Sequence, residues 1–167
     1  EDPRMPFTAL ATASRGGLLA ESRENNGITQ LMAHLLTRGT PTRSAEDIAR
    51  AMESRGATLD SYSGRNSFGI TAQFLSEDLE FMIALISDCL LHPIFPEDEI
   101  EKSKVLQIAE RSSKEEQPMF LARQTLLGLL HPYHPYALDP TGTKESIGSV
   151  TPGQVHEHYR RLCGPSN

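Results

Sequence analysis

The chain has 167 residues, of which 38% are hydrophobic and 23% charged, so it can form one domain with a hydrophobic core. Its formal net charge is -6, which favours neither nucleic acid nor an anionic membrane as a partner. Its apolar runs are too short to span a bilayer, and two cysteines, Cys89 and Cys163, do not make a disulfide framework.

The chain begins with a predicted strand that glycines interrupt. Residues 7–13 and 17–20 have apolar, extended patterns, and the Gly-Gly pair between them permits a bulge or turn. A polar loop then leads to a predicted helix over residues 28–38, which Gly39 closes.

A second helix is predicted over residues 45–55. Ser44 is placed to cap it, and Asp47 stands three residues later, where a capping-box carboxylate belongs. Gly56 is expected to end this helix.

Two further strands follow. Residues 67–74 show the clearest period-2 pattern in the chain, with apolar side chains at Phe68, Ile70, Ala72 and Phe74. Residues 57–64 alternate more weakly, and Gly64–Asn66 is predicted as the hairpin loop between the strands. Because only one side of the second strand is apolar, we expect antiparallel pairing with one covered face.

The rest of the chain is predicted to be mostly helical. Helix starts are indicated at Ser76, Pro96, Pro118 and Thr151-Pro152. The prolines of residues 131–143, HPYHPYALDPTGT, predict a loop. The element order, β-β-α-α-β-β-α-α-α-α, is typical of an α+β domain with helices packed on one face of a mainly antiparallel sheet.

Common catalytic and binding motifs are absent from the sequence. It has no Gly-rich phosphate loop, no G-x-S-x-G and no C-x-x-C. His156 and His158 are two residues apart, so on a helix they point in different directions. The HPYHPY segment offers two loop imidazoles, or alternatively a fixed loop whose prolines and tyrosines pack against the helices.

The helix in GITQLMAHLLTRGT has the spacing of a metal-binding helix without most of the ligands. Gln30 and His34 lie one turn apart beside an apolar stripe. It is either a damaged zinc-protease helix or a core helix that carries one histidine.

Several sequence segments around this helix resemble those of one protein family. NNGITQLMAHLLTRGT, GATLDSYSGRNSFG, FLSEDLEFMIALISDCLLHPIFPEDEIEKSK and HPYHPYALDPTGTKESIGSVTPGQVHEHY are similar to the pitrilysin/insulinase family of zinc metallopeptidases, which includes the mitochondrial processing peptidases. The resemblance covers residues 16–167. It implies the metallohydrolase-like half of the pitrilysin/processing-peptidase fold.

Active members of that family carry an inverted zinc motif, H-x-x-E-H, whose histidines bind zinc and whose glutamate is the general base. Aligning LLTRGT places the first histidine at Gln30, the glutamate at Ala33 and the second histidine at His34. The family's third ligand, a glutamate on a later helix, falls at Glu110, or at Ile108 if the alignment slips by two residues.

These replacements predict that the domain has no catalytic residue and binds no metal. A Gln amide is a poor zinc ligand, and Ala33 has no proton acceptor. His34 and Glu110 alone fall short of the three protein ligands that catalytic zinc normally has. We expect Gln30, His34 and Glu110 to cluster around a gap at Ala33. Taken by itself, His34 is interpreted as a surface or half-buried residue with local hydrogen bonds, and Glu110 as a solvated partner of Arg111 or a nearby lysine.

The resemblance implies a non-catalytic domain of a zinc metalloendopeptidase. Such a domain closes the chamber and helps bind peptide for a homologous, zinc-bearing partner half, in the same chain or a second subunit. The alternatives are an active zinc peptidase with unusual ligands, or an assembly subunit that has lost peptidase activity. Neither nucleic acid nor a membrane span is expected.

The chain has no initiator Met, and a further strand is expected after its last helix. We expect residues 1–167 to be a single peptidase-like domain excised from a longer chain, the first part of a C-terminal half. The bacterial cytoplasm or periplasm is the expected location.

Overall fold

The computed structural model describes residues 6–164. The strands in that range are β1 (Phe7–Ala11), β2 (Ser14–Arg15), β3 (Gly39–Thr40), β4 (Arg43–Ser44), β5 (Thr58–Ser63) and β6 (Ser67–Leu75). The helices are α1 (Ile28–Leu35), α2 (Ala45–Glu53), α3 (Leu79–Leu91), α4 (Glu97–Glu115), α5 (Pro118–Leu130), α6 (Lys144–Ser149) and α7 (Pro152–Leu162).

The main sheet is antiparallel and is organised around β6. β1 and β2 pair with one edge of β6, and β5 pairs with the other, so that Leu10 and Leu59 both lie opposite Ala72. The four apolar positions of the predicted alternation in β6 are buried, while Gln73 and Leu75 on the other face are exposed. The structure confirms the α+β class, the hairpin loop and the single covered face.

Helix α1 lies at the centre of the helical layer. It packs against β5 and β6 of the sheet and against α4 and α7. Its side chains Leu31, Met32 and Leu35 are fully buried, and each contributes about 1.5–3 kcal/mol through burial of apolar surface. This packing fixes the position of the polar side chains on the opposite side of the same helix.

Several helix ends follow the sequence signals. Ser44 and Asp47 form the predicted capping box at α2, with the Ser44 hydroxyl accepting from the Asp47 amide at 3.1 Å. Pro118 occupies the first turn of α5 and separates it from α4. Thr151 caps α7 as predicted.

The prediction of a strand over residues 17–20 was wrong. Gly17–Ala20 is a 3-10 turn, because Gly17 takes a φ of 70° and folds the chain over the β5–β6 loop. The Leu18 amide donates to the Gly64 carbonyl at 3.1 Å. The first strand is interrupted earlier than predicted, at Thr12, whose hydroxyl accepts from the Ile70 amide at 2.9 Å.

Other boundaries differ because tertiary contacts replace local signals. Helix α1 ends at Leu35, and Gly39 begins a short β3–β4 ribbon instead of closing the helix. Ser76 lies in a 3-10 turn before α3, and its hydroxyl contacts Thr8 Oγ1 at 2.9 Å. Pro96 directly precedes α4, and α6 was not predicted.

Candidate functional site

A cavity of about 460 Å³ lies between α1, α4, β5 and the loop before α6. Gln30, Ala33 and His34 contribute from α1, and Glu110 contributes from α4. Gln30, Ala33, His34 and Glu110 therefore line one cavity. Ile108, the alternative position for the third ligand, is not among the residues that line it.

The N-terminus of α1 is held in place by a buried carboxylate. Glu21 accepts hydrogen bonds from the Gly27 amide at 2.7 Å, the Thr29 amide at 2.9 Å and Asn26 Nδ2 at 2.9 Å. Burial raises the pKa of Glu21, and these donors oppose that rise. A carboxylate at this helix end also stabilises the helix dipole. Glu21 thereby fixes the position from which Gln30 reaches the cavity.

Gln30 and Glu110 are joined directly. Gln30 Nε2 donates to Glu110 Oε2 at 3.0 Å, and Lys114 Nζ lies 2.6 Å from the other oxygen, Oε1. Both oxygens of the Glu110 carboxylate are thus engaged by side chains of α1 and α4. From the sequence, Glu110 taken by itself is interpreted as a partner of Arg111 or a nearby lysine. The ion pair with Lys114 agrees with that interpretation.

The imidazole of His34 accepts a hydrogen bond from a neighbouring arginine. Arg38 Nη2 lies 3.1 Å from His34 Nε2, and because a guanidinium only donates, Nε2 must be the acceptor and the ring proton must sit on Nδ1. Burial and, secondarily, the Arg38 charge lower the pKa of His34. The ring is therefore held neutral, with the lone pair of Nε2 directed at Arg38.

Ala33 is 1% exposed and presents only a methyl group to the cavity. It supplies neither a proton acceptor nor a ligand at this position.

Comparison with known proteins identifies the family. Residues 1–132 match the profile of insulinase, peptidase family M16. The chain belongs to the insulinase family.

Two curated relatives come from bacteria and are longer than this chain. An uncharacterized zinc protease of Mycobacterium leprae is 29% identical over 94% of this chain and 36% of its own length. The non-peptidase homolog YmxG of Helicobacter pylori is 27% identical over 97% of this chain and 38% of its own length. The chain thus spans little more than a third of the length of these relatives.

Solved structures share the fold. A peptidase M16 inactive domain from Pseudomonas fluorescens superposes with a TM-score of 0.84 at 23% identity, covering 92% of this chain and 38% of that chain. A protease from Helicobacter pylori gives a TM-score of 0.90 at 16% identity, covering 98% and 40%. These likenesses confirm the predicted fold class.

The donor set does not fit the zinc ion that the insulinase family uses. The Gln30 amide directs its N–H groups at Glu110, and the His34 lone pair is directed at Arg38. Among residues 6–164, no group of three or more His, Cys, Asp and Glu side chains is placed to hold a metal ion.

Three other histidines, His134, His156 and His158, make contacts with neighbouring side chains. His156 packs edge-on against Phe95 with ring centroids 5.2 Å apart, while His158 is buried beside Thr29, so the two point in different directions. In the HPYHPY loop, His134 packs against Tyr136 with ring centroids 4.6 Å apart. Tyr133 of the same loop is fully exposed, so the interpretation that the loop's tyrosines pack against the helices does not hold for Tyr133.

Two residues at the cavity wall were not singled out from the sequence. Asp139 lines the cavity with its side chain only 3% exposed, and its Oδ1 accepts from the Thr141 amide at 3.0 Å. Gln107 Nε2 donates to the carbonyls of Gly27 and Thr141, both at 2.9 Å. The DPTGT turn was the available signal, since Asp before such a turn often bonds its own backbone two residues later.

In the part of the chain that the structure describes, no helix is both long enough and apolar enough to cross a membrane.

Proposed function

We propose that this chain is a non-catalytic domain of a zinc metalloendopeptidase, which closes the substrate chamber and helps bind peptide for an active partner half. One observation carries the proposal: the Gln30 amide is bonded to Glu110 at 3.0 Å beside the methyl group of Ala33. A metal ligand and a general base are both missing at the positions where the family's chemistry needs them. Two similar proteins, one named a non-peptidase homolog and the other described as an inactive domain, support it.

The cavity wall supports the peptide-binding part of the proposal. Ser61, Tyr62 and Ser63 of β5 line the cavity, and among the described strands β5 pairs only with β6. The outer edge of β5 is therefore open to an extended peptide, whose main chain would add as a further strand. Main-chain pairing tolerates many sequences, which suits a chamber that accepts diverse peptides.

The catalytic partner in this proposal is a homologous half with an intact H-x-x-E-H motif, in the same chain or in a second subunit. Zinc would be bound there and not in this domain. The relatives named zinc proteases extend well beyond the matched region, which leaves room for such a half.

Zinc content and peptide cleavage test the proposal. The purified chain should contain no stoichiometric zinc after dialysis against zinc and should not cleave an unstructured peptide. Coexpression with a homologous domain that has an intact H-x-x-E-H should give chelator-sensitive cleavage. Stoichiometric zinc together with chelator-sensitive cleavage by the chain alone would instead establish an active peptidase with unusual ligands.

A second candidate, an assembly subunit, is favoured by one feature. Helix α5 has no buried residue, and its exposed apolar side chains include Met119, Leu126, Leu129 and Leu130. Exposed apolar surface of this kind marks interaction sites. This chain should then form a stable complex with a homologous domain. If that complex neither binds nor cleaves peptide, the assembly role is favoured over the peptide-binding role.

A further inference from the structure

One end of the cavity is formed by cationic side chains of α4 and α5. Lys114 and Arg123 both line the cavity there, together with the carboxylates of Glu110 and Asp139. Ser61, Tyr62 and Ser63 of β5 line the same cavity.

The two cations differ in how fully they are paired. Lys114 Nζ lies 2.6 Å from Glu110 Oε1 and 2.6 Å from Thr141 Oγ1, which leaves one of its three donors. The nearest carboxylate oxygen to Arg123 belongs to Asp139, at 3.8 Å, which is beyond hydrogen-bond distance. The Arg123 side chain is 57% exposed. Its guanidinium therefore lines the cavity with one long ion pair, to Asp139, and no hydrogen bond to a carboxylate is shown for it among the described residues.

Asp139 cannot neutralise Arg123 alone, because a second guanidinium competes for it. Arg111 Nη1 lies 4.0 Å from Asp139 Oδ1, while Arg111 Nε bonds Glu115 at 2.8 Å. Asp139 also accepts from the Thr141 amide at 3.0 Å. The buried carboxylate of Asp139 is thus shared between two guanidinium groups, and one negative charge does not neutralise both.

We infer that this end of the cavity binds one carboxylate of a peptide, with Arg123 as the principal contact and the free donor of Lys114 beside it. The inference rests on the proposed peptide-binding function and names the class of peptide. A guanidinium presents a planar fork of N–H groups that matches a carboxylate bidentately. Because Glu110 and Asp139 lie in the same wall, a single negative charge fits better than a dianion such as phosphate. The carboxylate comes from an acidic side chain or from the peptide C-terminus.

Three labelled peptides of one length test the inference by fluorescence anisotropy at low ionic strength. The first is neutral with an amidated C-terminus, the second carries one internal glutamate with the same amide, and the third is neutral with a free C-terminus. At least one carboxylate peptide should bind the chain roughly tenfold more tightly than the neutral peptide. The peptide that gains affinity identifies the source of the carboxylate, and the gain should shrink at high salt.

Substitution of the arginine provides the matched comparison. Arg123→Gln should abolish the roughly tenfold gain of the carboxylate peptide over the neutral peptide. Arg50→Gln should keep the gain, because Arg50 is an exposed residue of α2 that pairs with Asp47 outside the cavity. Circular dichroism should show that both variants are folded.

The outcomes separate this inference from the proposed function. Equal binding of all three peptides overturns the carboxylate site and leaves peptide binding standing. A preference that persists in Arg123→Gln also overturns the assignment. If no peptide binds, the peptide-binding function fails, and the inference fails with it.

Discussion

Gln30 Nε2 lies 3.0 Å from Glu110 Oε2, so a hydrogen bond joins α1 to α4 at the positions that the family alignment gives to two zinc ligands. The amide donates to one oxygen of a carboxylate whose second oxygen lies 2.6 Å from Lys114 Nζ. A direct polar link therefore joins α1 to α4 at these two positions.

This link should be measurable as a coupling energy. In a double-mutant cycle of Gln30→Ala and Glu110→Ala, urea unfolding should give a coupling of about 0.5–1 kcal/mol, since the acceptor is charged but the Glu110 side chain is 46% exposed. A parallel cycle of Gln30→Ala with Glu115→Ala should be additive, because Glu115 pairs with Arg111. A coupling of zero in the first cycle would show that the bond does not stabilise the fold.

A second prediction concerns restoring the metal site. Gln30→His would place two imidazoles one turn apart opposite Glu110, giving three ligands of the types zinc prefers. After dialysis against zinc, elemental analysis should find about one zinc per Gln30→His chain and none in the unmodified chain or in Ala33→Glu. The new site must displace Arg38 from His34, so Arg38→Ala in the same chain should tighten zinc binding.

The variant Gln30→His with Ala33→Glu adds the missing general base and should bind zinc equally well. Failure of both Gln30→His variants to bind zinc, in folded protein, would mean that Gln30 does not occupy the first ligand position.

The sequence allowed the backbone of this site to be predicted better than its hydrogen bonds. The period-2 pattern of β6 and the capping box of Ser44 and Asp47 are local signals, and both appear in the structure. The sequence segments around GITQLMAHLLTRGT, aligned with the family, predicted that Gln30 and Glu110 lie near each other, although they are 80 residues apart. That placement depended on family resemblance, because periodicity alone says nothing about contacts between helices.

The partners of the polar side chains could not be predicted in this way. The Arg38 contact with His34 depends on a rotamer, and the Lys114 contact with Thr141 depends on how a loop 27 residues away folds back on α4. The 3-10 turn of Gly17–Ala20 was mistaken for a strand because its conformation depends on a contact with the distant Gly64 loop.

Acid sensitivity is predicted from a buried histidine. His158 Nε2 lies 2.8 Å from Thr29 Oγ1, and Arg161 donates to His158 Nδ1 at 3.1 Å. Burial, with the Arg161 charge secondary, lowers the pKa of His158 to about 4 from its ordinary value of 6.5. The folded state therefore binds this proton less tightly than the unfolded state. The stability that neutral His158 provides is complete above pH 6.5 and is lost as the pH falls towards 4.

The loss should reach about 3 kcal/mol near the lower pKa, because each pKa unit corresponds to about 1.4 kcal/mol. The measurement is the free energy of urea unfolding at several pH values for the unmodified chain and for His158→Gln. The variant should be less stable at neutral pH but should show a shallower decline on acidification. Parallel declines for the two proteins would contradict the prediction.

The loop that closes the cavity near α1 predicts opposite effects for two glycine substitutions. Gly142 has a φ of 77°, and a Cβ atom there would lie far inside van der Waals contact of the Asn26 carbonyl oxygen. Gly142→Ala should therefore destabilise the fold by about 2 kcal/mol or more. It should also weaken peptide binding, because the neighbouring Thr141 holds Lys114 at 2.6 Å.

Gly128→Ala on α5 is the control, since a Cβ there meets nothing within 4 Å. It should stabilise the chain by about 0.5–1 kcal/mol through helix propensity. Thermal unfolding of both variants measures the contrast. If Gly142→Ala is as stable as the unmodified chain, the loop can shift away from Asn26 without cost.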